Sequence, residues 1–425
     1  MYNKTTKFIR GIILDQNRTY KITSIGFIWH SFFLALTMSM LDLNTVFPSL
    51  ITELTGSKAL FGVIYSIMLG VPLIFNIIFS HYLKTKHHKK KFLLLGIYLR
   101  AFAFLGMAVF TYFFGLSKPI LTFSSFFLWV FIFSISAGFA GISYADIMAK
   151  TIPSDKRTFL YSIKQFFSSI AAFLGGLAVS HIFSISSLSY PINYSISLSI
   201  GFIGLFIASI GFLIIHEPPS TKVPKKGETF FEYLKKVPHF LKTDYRFRRF
   251  IIIENLGSFS IMIMPFYMIF AKDMFKIDSS YIGRYLLFQI GGTIVSSIIW
   301  GFVAKKVTSK VIVSICIVLG GIIPFVAIGL SFLGPNYFAI VFVLLGLFIS
   351  GRRVGFEPYL LDIAPEKHRT EYLGIRGTLN IFIIILPILG GFIIETFGFY
   401  FTFVLVSIIM FISAYILNRK QKVKI

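Results

Sequence analysis

Ionisable side chains lie inside long apolar runs of this sequence, where they could bind a charged group, form ion pairs or carry protons. Arg352, Arg353 and Glu357 interrupt one such run, and Asp42 and Arg100 interrupt two others. A charge in hydrocarbon costs about 3 kcal/mol or more, so each of these residues is a candidate functional residue. The planar fork of arginine suits carboxylate or phosphate groups, and a carboxylic acid in such a setting can take up and release a proton.

The composition explains the long apolar runs. Of the 425 residues, 56% are apolar and 14% are charged, whereas a soluble chain carries about 25% charged residues. The net charge of +24 lies in short basic islands between apolar runs. We therefore interpret it as membrane topology and expect no nucleic-acid partner. The single cysteine, Cys316, excludes a disulfide framework and a cysteine-based metal cluster, and we expect no metal site.

Twelve stretches are long and apolar enough to cross a bilayer as helices, which predicts an all-α integral membrane protein. Their limits are 24–48, 58–82, 92–114, 120–146, 157–180, 192–215, 249–271, 280–303, 310–333, 337–361, 374–396 and 399–417. The first stretch follows a basic leader, but its apolar part is too long for a cleaved signal peptide. We interpret it as a retained span.

The positions of Lys and Arg predict the orientation. With the N-terminus inside, 32 of the 41 basic residues fall in inner segments and five in outer loops. The positive-inside rule then places both termini in the cytoplasm, which requires an even number of spans. We expect a multi-pass protein of the cytoplasmic membrane.

The longest inner segment divides the spans six and six. Its stretch 230–237 is apolar and basic, which is typical of a helix on the membrane surface, with a solvated loop as the alternative. The expected parts are a cytoplasmic leader at 1–23, an N-terminal six-helix bundle at 24–215, a cytoplasmic central loop with an interfacial helix at 216–248, a C-terminal six-helix bundle at 249–417 and a basic cytoplasmic tail at 418–425.

An internal repeat supports two similar halves. Residues 153–164 align without gaps to residues 365–376, so the halves are related by an axis along the membrane normal. The segment Asp362-Ile-Ala-Pro-Glu-Lys-His-Arg369 is similar to the acidic-x-Ala-Pro-x-x-x-Arg turn between spans 10 and 11 of the major facilitator superfamily. The chain resembles that superfamily of secondary transporters over nearly its whole length. Lys150 replaces the acidic residue in the first half, and the subfamily is not assigned.

The resemblance implies two pseudo-symmetric six-helix bundles, with spans 1, 4, 7 and 10 lining a substrate path and spans 2, 5, 8 and 11 beside them. Arg353 or Arg352 is nearest the midplane and is the candidate to bind an anionic group, with pairing to Glu357 as the alternative. The other candidate substrate-binding residues are Arg100, Asn76, Tyr144, Gln165, Tyr267, Gln289 and Asn380.

Asp42 is the candidate residue for proton coupling, because a carboxyl group within a span can exchange a proton during a transport cycle. The alternative is a helix-capping role beside Asn44, with Pro48 ending the span. His30 is a second candidate titrating group. A hydrogen-bonded structural role for His30 is favoured over titration.

A further set of charged residues concentrates in the inner third of the spans. We expect it to form a cytoplasmic gate that joins the halves when the cavity faces outward and separates in the other state. The gate candidates are Asp146, Arg157, Lys164, Glu254, Glu357, Asp362, Arg369 and Arg376.

These patterns predict a transporter that moves a small solute by alternating access. No nucleotide-binding motif is present, so we expect a gradient-driven process without a cofactor, with protons as the candidate coupling ion. Basic residues outnumber acidic ones in the spans, which favours an anionic or zwitterionic solute. The alternative is a flippase or efflux pump for lipids or hydrophobic drugs on the same fold; a membrane-embedded enzyme is less favoured. We expect a monomer whose partners are the solute and membrane lipids.

Overall fold

The computed structural model describes residues 2–84, 86–219, 237–238, 241–304, 306–365, 372, 375–377 and 379–419. The apolar sequence forms helices because a backbone in lipid must satisfy its polar groups within its own segment. The first half comprises α1 (Tyr2–Met40), α2 (Val46–Thr55), α3 (Lys58–Lys84), α4 (Lys90–Phe114), α5 (Pro119–Thr151), α6 (Ser154–Ser184) and α7 (Ile192–Leu213).

The second half is also built of helices. Its helices are α8 (Tyr245–Gly257), α9 (Phe259–Ile263), α10 (Phe266–Phe275), α11 (Ser280–Ala304), α12 (Ser309–Leu330), α13 (Pro335–Ile363), a 3₁₀ helix at Asn380–Ile384, and α14 (Leu386–Asn418). The proposed surface helix at 230–237 lies outside the described residues except for its last residue.

Eleven helices in the described chain are long and apolar enough to cross a membrane, and the last of them holds two of the predicted spans. That segment, Ile375–Asn418, has 44 residues and would measure about 66 Å as one straight helix, about twice the hydrocarbon thickness. The backbone turns at Gly398, where φ is 81°. A residue with a side chain rarely adopts this conformation, so glycine permits the turn between spans 11 and 12.

Spans 1 and 7 are interrupted. The first helix stops at Met40, and α2 resumes at Val46 and extends to Thr55, so the expected end of span 1 at residue 48 is wrong. Pro48 is the third residue of α2, where it is tolerated because the first-turn amides have no partner within the helix. Span 7 is divided into α8, α9 and α10 by short breaks at residues 258 and 264–265.

The two halves meet through two pairs of helices, α3 with α14 and α6 with α11. We call the side on which α1 begins and α14 ends the terminal face, and the other side the opposite face. A Cβ atom on Gly391 would lie 2.4 Å from the Lys58 carbonyl oxygen, and one on Gly283 would lie 2.2 Å from the Ser180 Cα atom. All four residues belong to helix ends at the opposite face, so glycine allows the halves to close there.

The interior consequently opens toward the terminal face. Between residues that the structure describes, the hydrogen bonds and ion pairs joining the halves lie at the opposite face or at the level of Asp42. Nearer the terminal face, the polar side chains of Gln165 and Arg353 are exposed.

Replacing Gly391 with valine should prevent this closure, because the new side chain would meet backbone atoms of Lys58 and Ala59. Spin labels at Ser117→Cys and Phe332→Cys, exposed positions on the opposite face of different halves, should move apart in Gly391→Val. Pulsed electron paramagnetic resonance measures that distance.

The matched control is Gly329→Val, since nothing lies within 4 Å of a Cβ atom at that helical glycine. Its distance distribution should equal that of the parent protein. An unchanged distribution in Gly391→Val would show that the glycine contact does not hold the halves together.

Candidate functional site

A cavity of about 450 Å³ lies between the two halves. Its wall comes from the break after α1, from α3 and α6 of the first half, and from α11 and α13 of the second. The polar residues that line it include Asp42, Asn44, Tyr65, Gln165, Gln289 and Arg353. The sequence analysis identified Asp42, Gln165, Gln289 and Arg353 as candidates but did not identify Tyr65.

Asp42 occupies the break between α1 and α2, and its carboxylate is fully engaged. Oδ1 accepts hydrogen bonds from the Asn44 amide and the Thr45 hydroxyl, both at 2.9 Å. Oδ2 accepts one from Gln289 Nε2 at 3.2 Å, across the interface between the halves. The capping role and the cavity role therefore belong to the same carboxylate, because the break that Asp42 caps also forms part of the cavity wall.

The neighbouring arginines of α13 point in different directions. The Arg353 side chain is exposed and lines the central cavity. Arg352 turns away and donates from Nη1 to the Gly257 carbonyl at 2.9 Å, while its guanidinium stacks on the Phe356 ring. Arg352 is thus a second donor to the carbonyl at the end of α8, which also accepts the Ser260 hydroxyl, and Arg352 does not line the central cavity. Its place at the substrate stays a prediction.

A second cavity, of about 510 Å³, lies within the first half. Five residues identified from the sequence line it: His30, Arg100, Tyr144, Lys164 and Gln165. Gln165 and Ser168 line both cavities, so the two spaces are adjacent. His30 Nδ1 lies 3.3 Å from the Ala208 carbonyl, which fits the structural role considered for this histidine.

Two other substrate-site candidates, Tyr267 and Asn380, do not line the described cavities. Tyr267 is buried and packs against Phe403, with ring centroids 5.0 Å apart. Asn380 lies in the 3₁₀ helix, where its Oδ1 atom is buried without a hydrogen-bond partner. The side chain of Asn76 lies outside the part of the chain that the structure describes.

The predicted gate residues belong to separate clusters in this state. In the first half, Asp146 pairs with Lys89 at 2.5 Å and with Lys150 at 2.7 Å. In the second half, the buried Glu254 accepts from Arg376 Nη2 at 2.5 Å. An assembly of these clusters across the interface stays a prediction for the other state.

The remaining gate candidates are dispersed. Glu357 is exposed, and the Asp362 carboxylate accepts a hydrogen bond from the Ser309 hydroxyl. Lys164 belongs to the second cavity. The Arg157 side chain and all of Arg369 lie outside the described part of the structure.

Glu217 is a structural residue that the sequence analysis missed. Its buried carboxylate accepts the backbone amides of Lys89 and Lys90 at 2.7–2.9 Å and the ammonium of Lys150 at 2.7 Å. It therefore caps the N-terminus of α4 and holds the chain after α7 against the turn before α4. Lys150, which replaces the acidic residue of the superfamily pattern, still forms ion pairs here.

The opposite face carries ion pairs between the halves that the sequence analysis also missed. Lys272 pairs with Glu53 at 2.6 Å, and Lys58 pairs with Asp273 at 2.8 Å. Glu395 accepts the Ser57 hydroxyl at 2.6 Å and the Ala59 amide at 3.0 Å. The sequence signal was a carboxylate close to each of three short connections between successive spans: Glu53, Asp273 and Glu395.

Two bundles of membrane-crossing helices around a shared, charged cavity define a multi-pass transporter. The family model described as Major Facilitator Superfamily matches residues 28–293 and 256–424. The chain belongs to the Major Facilitator Superfamily. No curated protein sequence matches the chain.

Solved structures support the fold. A mutant of the nucleoside transporter NupG superimposes with a TM-score of 0.74 at 13% identity, covering 93% of this chain and 98% of that one. A POT family transporter in complex with a thioalcohol-conjugated peptide gives 0.67 at 14% identity, covering 94% and 95%. A POT family transporter in complex with 5-aminolevulinic acid gives 0.67 at 13% identity, with the same coverage.

Removing Arg376 should destabilise the second half, because Glu254 would remain as a buried charge without its partner. The Glu254 side chain is 2% exposed, and breaking a buried pair costs about 3–5 kcal/mol. The unfolding temperature of Arg376→Gln in detergent should fall well below that of the parent protein.

The double variant Glu254→Gln with Arg376→Gln should recover most of this loss, since both charges are then absent. Arg284→Gln, on the exposed opposite face, serves as the control and should change stability by less than about 1 kcal/mol. Equal destabilisation by single and double variants would reject the pairing argument.

Proposed function

We propose that this protein moves a small anionic or zwitterionic solute across the cytoplasmic membrane by alternating access, driven by a proton gradient. The observation that carries the proposal is a cavity lined by a carboxylate of one half, Asp42, and by a guanidinium of the other, Arg353. In this proposal the basic terminal face lies in the cytoplasm, and the described state is open inward.

Arg353 binds the anionic group of the solute. Its guanidinium is exposed in the cavity, and the structure gives it no ion pair with Glu357 among the described residues. A planar guanidinium offers paired donors to a carboxylate or phosphate, and the low dielectric constant of the membrane strengthens that interaction.

Asp42 couples solute movement to protons. Its Oδ2 atom accepts from Gln289 of the other half, and this hydrogen bond is stronger to an ionised carboxylate than to a neutral carboxyl group. Rocking of the halves would separate Gln289 from Asp42 and change the hydrogen-bonding partners of the carboxyl group. The proton occupancy of Asp42 and the position of the halves are therefore linked.

The opposite-face ion pairs and glycine contacts hold the inward-open state. They must separate for the cavity to open outward, because they join the ends of helices from different halves. The cytoplasmic charged clusters then become available to each other, as the gate hypothesis requires. Each end state is consequently stabilised by its own set of contacts, so the free energies of the two states stay comparable.

A thermal-shift screen tests the binding site. The panel contains nucleosides, dipeptides and 5-aminolevulinic acid, because related folds carry or hold such molecules, together with cationic and lipophilic compounds. A ligand at 100 times its dissociation constant should stabilise the protein by about 2.7 kcal/mol.

Arg353→Gln should weaken binding of the anionic hit by roughly 10- to 100-fold, the effect of losing a charged hydrogen bond. Arg352→Gln is the matched control, because the adjacent guanidinium points away from the cavity. Shifts produced only by lipophilic compounds would favour a lipid or drug transporter, and equal effects of the two variants would reject Arg353 as the binding residue.

Asp42→Asn should remove the response to a pH gradient while leaving exchange of solute across the membrane intact. The amide keeps the size of the side chain but cannot exchange a proton. Uptake and counterflow in proteoliposomes measure the two properties separately. Asp278→Asn, an exposed change on the opposite face, is the control; a pH-gradient response retained in Asp42→Asn would reject the coupling role.

A further inference from the structure

The internal repeat places Lys164 and Arg376 at equivalent positions of the two halves, yet the halves treat these cations differently. Arg376 is neutralised by Glu254 of span 7. Lys164 is buried, and its ammonium donates to the Tyr144 hydroxyl and lies 4.7–5.9 Å from the ring centroids of Tyr144, Tyr161 and Phe27. Among the described residues, no carboxylate pairs with it.

Arg100 is a second cation of the same cavity without a carboxylate partner in the described structure. Its Nε atom donates to the Ser136 hydroxyl at 3.2 Å, and its guanidinium lies 5.5 Å from the centre of the Phe133 ring. These contacts satisfy one of the five donors that a guanidinium offers. The other donors have no hydrogen-bond partner among the described residues, and Arg100 lines the cavity.

Two cations in one cavity of a membrane-embedded bundle are costly unless something compensates them. The described residues lining this cavity include Arg100, Lys164 and His30 but no aspartate or glutamate. Aromatic faces and hydroxyls stabilise the cations only in part. The missing partner is therefore an anion that enters the cavity, which is adjacent to the central cavity and lies nearer the terminal face.

We infer that the Arg100–Lys164 pocket is a second anion site, which holds the carboxylate or phosphate group of the transported solute between the central cavity and the terminal face. This inference rests on the proposed function. Along α1, the pocket begins at His30 and shares Ala35 and Met38 with the central cavity, which continues to Asp42. A small solute therefore occupies the two sites in succession.

The labelling rate of a reactive thiol placed in the pocket reports the electrostatic potential of the pocket. The measurement does not require the solute to be known. Ser31→Cys introduces this thiol, because Ser31 lines the pocket, its hydroxyl donates to the Phe27 carbonyl of the same helix, and its side chain lies beside Tyr144. The only natural cysteine, the buried Cys316, is replaced by serine to give a clean background. The full-length protein is labelled in detergent with a sulfonate or a trimethylammonium methanethiosulfonate reagent.

After normalisation to a small free thiol, the sulfonate reagent should react roughly tenfold faster than the cationic one, because opposite charges attract strongly in a partly desolvated site. Lys164→Gln and Arg100→Gln should each lower this ratio several-fold, while Lys164→Arg should preserve it. Lys156→Gln is the matched control on the same helix, because Lys156 lies over Tyr20 and lines neither cavity. Equal rates for the two reagents would overturn the inference.

Protection by matched compounds tests the ligand. 5-Aminolevulinic acid is compared with its methyl ester, uridine monophosphate with uridine, and inorganic phosphate is tested alone. At least one compound with a free carboxylate or phosphate group should slow labelling of Ser31→Cys while its counterpart without that group does not, and Lys164→Gln should abolish that protection. If no compound with such a group protects, the second site is rejected. The proposed function fails separately, if Arg353→Gln keeps full affinity for the hit of the thermal-shift screen.

Discussion

A backbone that crosses lipid can leave the helical conformation only where protein groups or a polar cavity satisfy its amides and carbonyls, and this constraint organises the whole site. Span 1 breaks between Met40 and Val46, and the Asp42 carboxylate accepts the amide and hydroxyl that the break exposes. Span 7 breaks after Gly257, whose carbonyl accepts Arg352. A charged residue thus lies at each of these two breaks, and one of the two residues, Asp42, lines the central cavity.

The halves share an architecture but differ in the compensation of charge. The second half pairs Arg376, the repeat equivalent of Lys164, with the buried Glu254. The first half leaves Arg100 and Lys164 with hydroxyl and aromatic contacts. The charge of Arg376 is therefore balanced within the second half, whereas the first half retains an unbalanced positive potential that a solute can use.

Length and composition predicted the spans and the two bundles well, because runs of about 20 apolar residues have few alternatives. The side of each helix that faces the cavity was not predictable, because a helix that is apolar all round has no periodic pattern of polar residues. Arg352 and Arg353 differ by one residue, about 100° around α13, so only packing decides which of them reaches the cavity. Pro48 gave an incorrect helix end because proline fits the first turn of a helix as well as the end of one. Glu217 and the opposite-face pairs depend on contacts between distant segments, which a single sequence does not reveal.

Glu217 has a mechanical consequence. By binding the turn before α4, it fixes the start of the connection between the halves to the first bundle. The chain from there to Tyr245 contains 27 further residues, and a chain of that length can reach at most about 90 Å. The length of the connection therefore sets only a wide limit on how far apart the two bundles can lie. In the proposed transport cycle, tighter limits would come from direct contacts between the bundles, such as that of Gly391 with Lys58 at the opposite face.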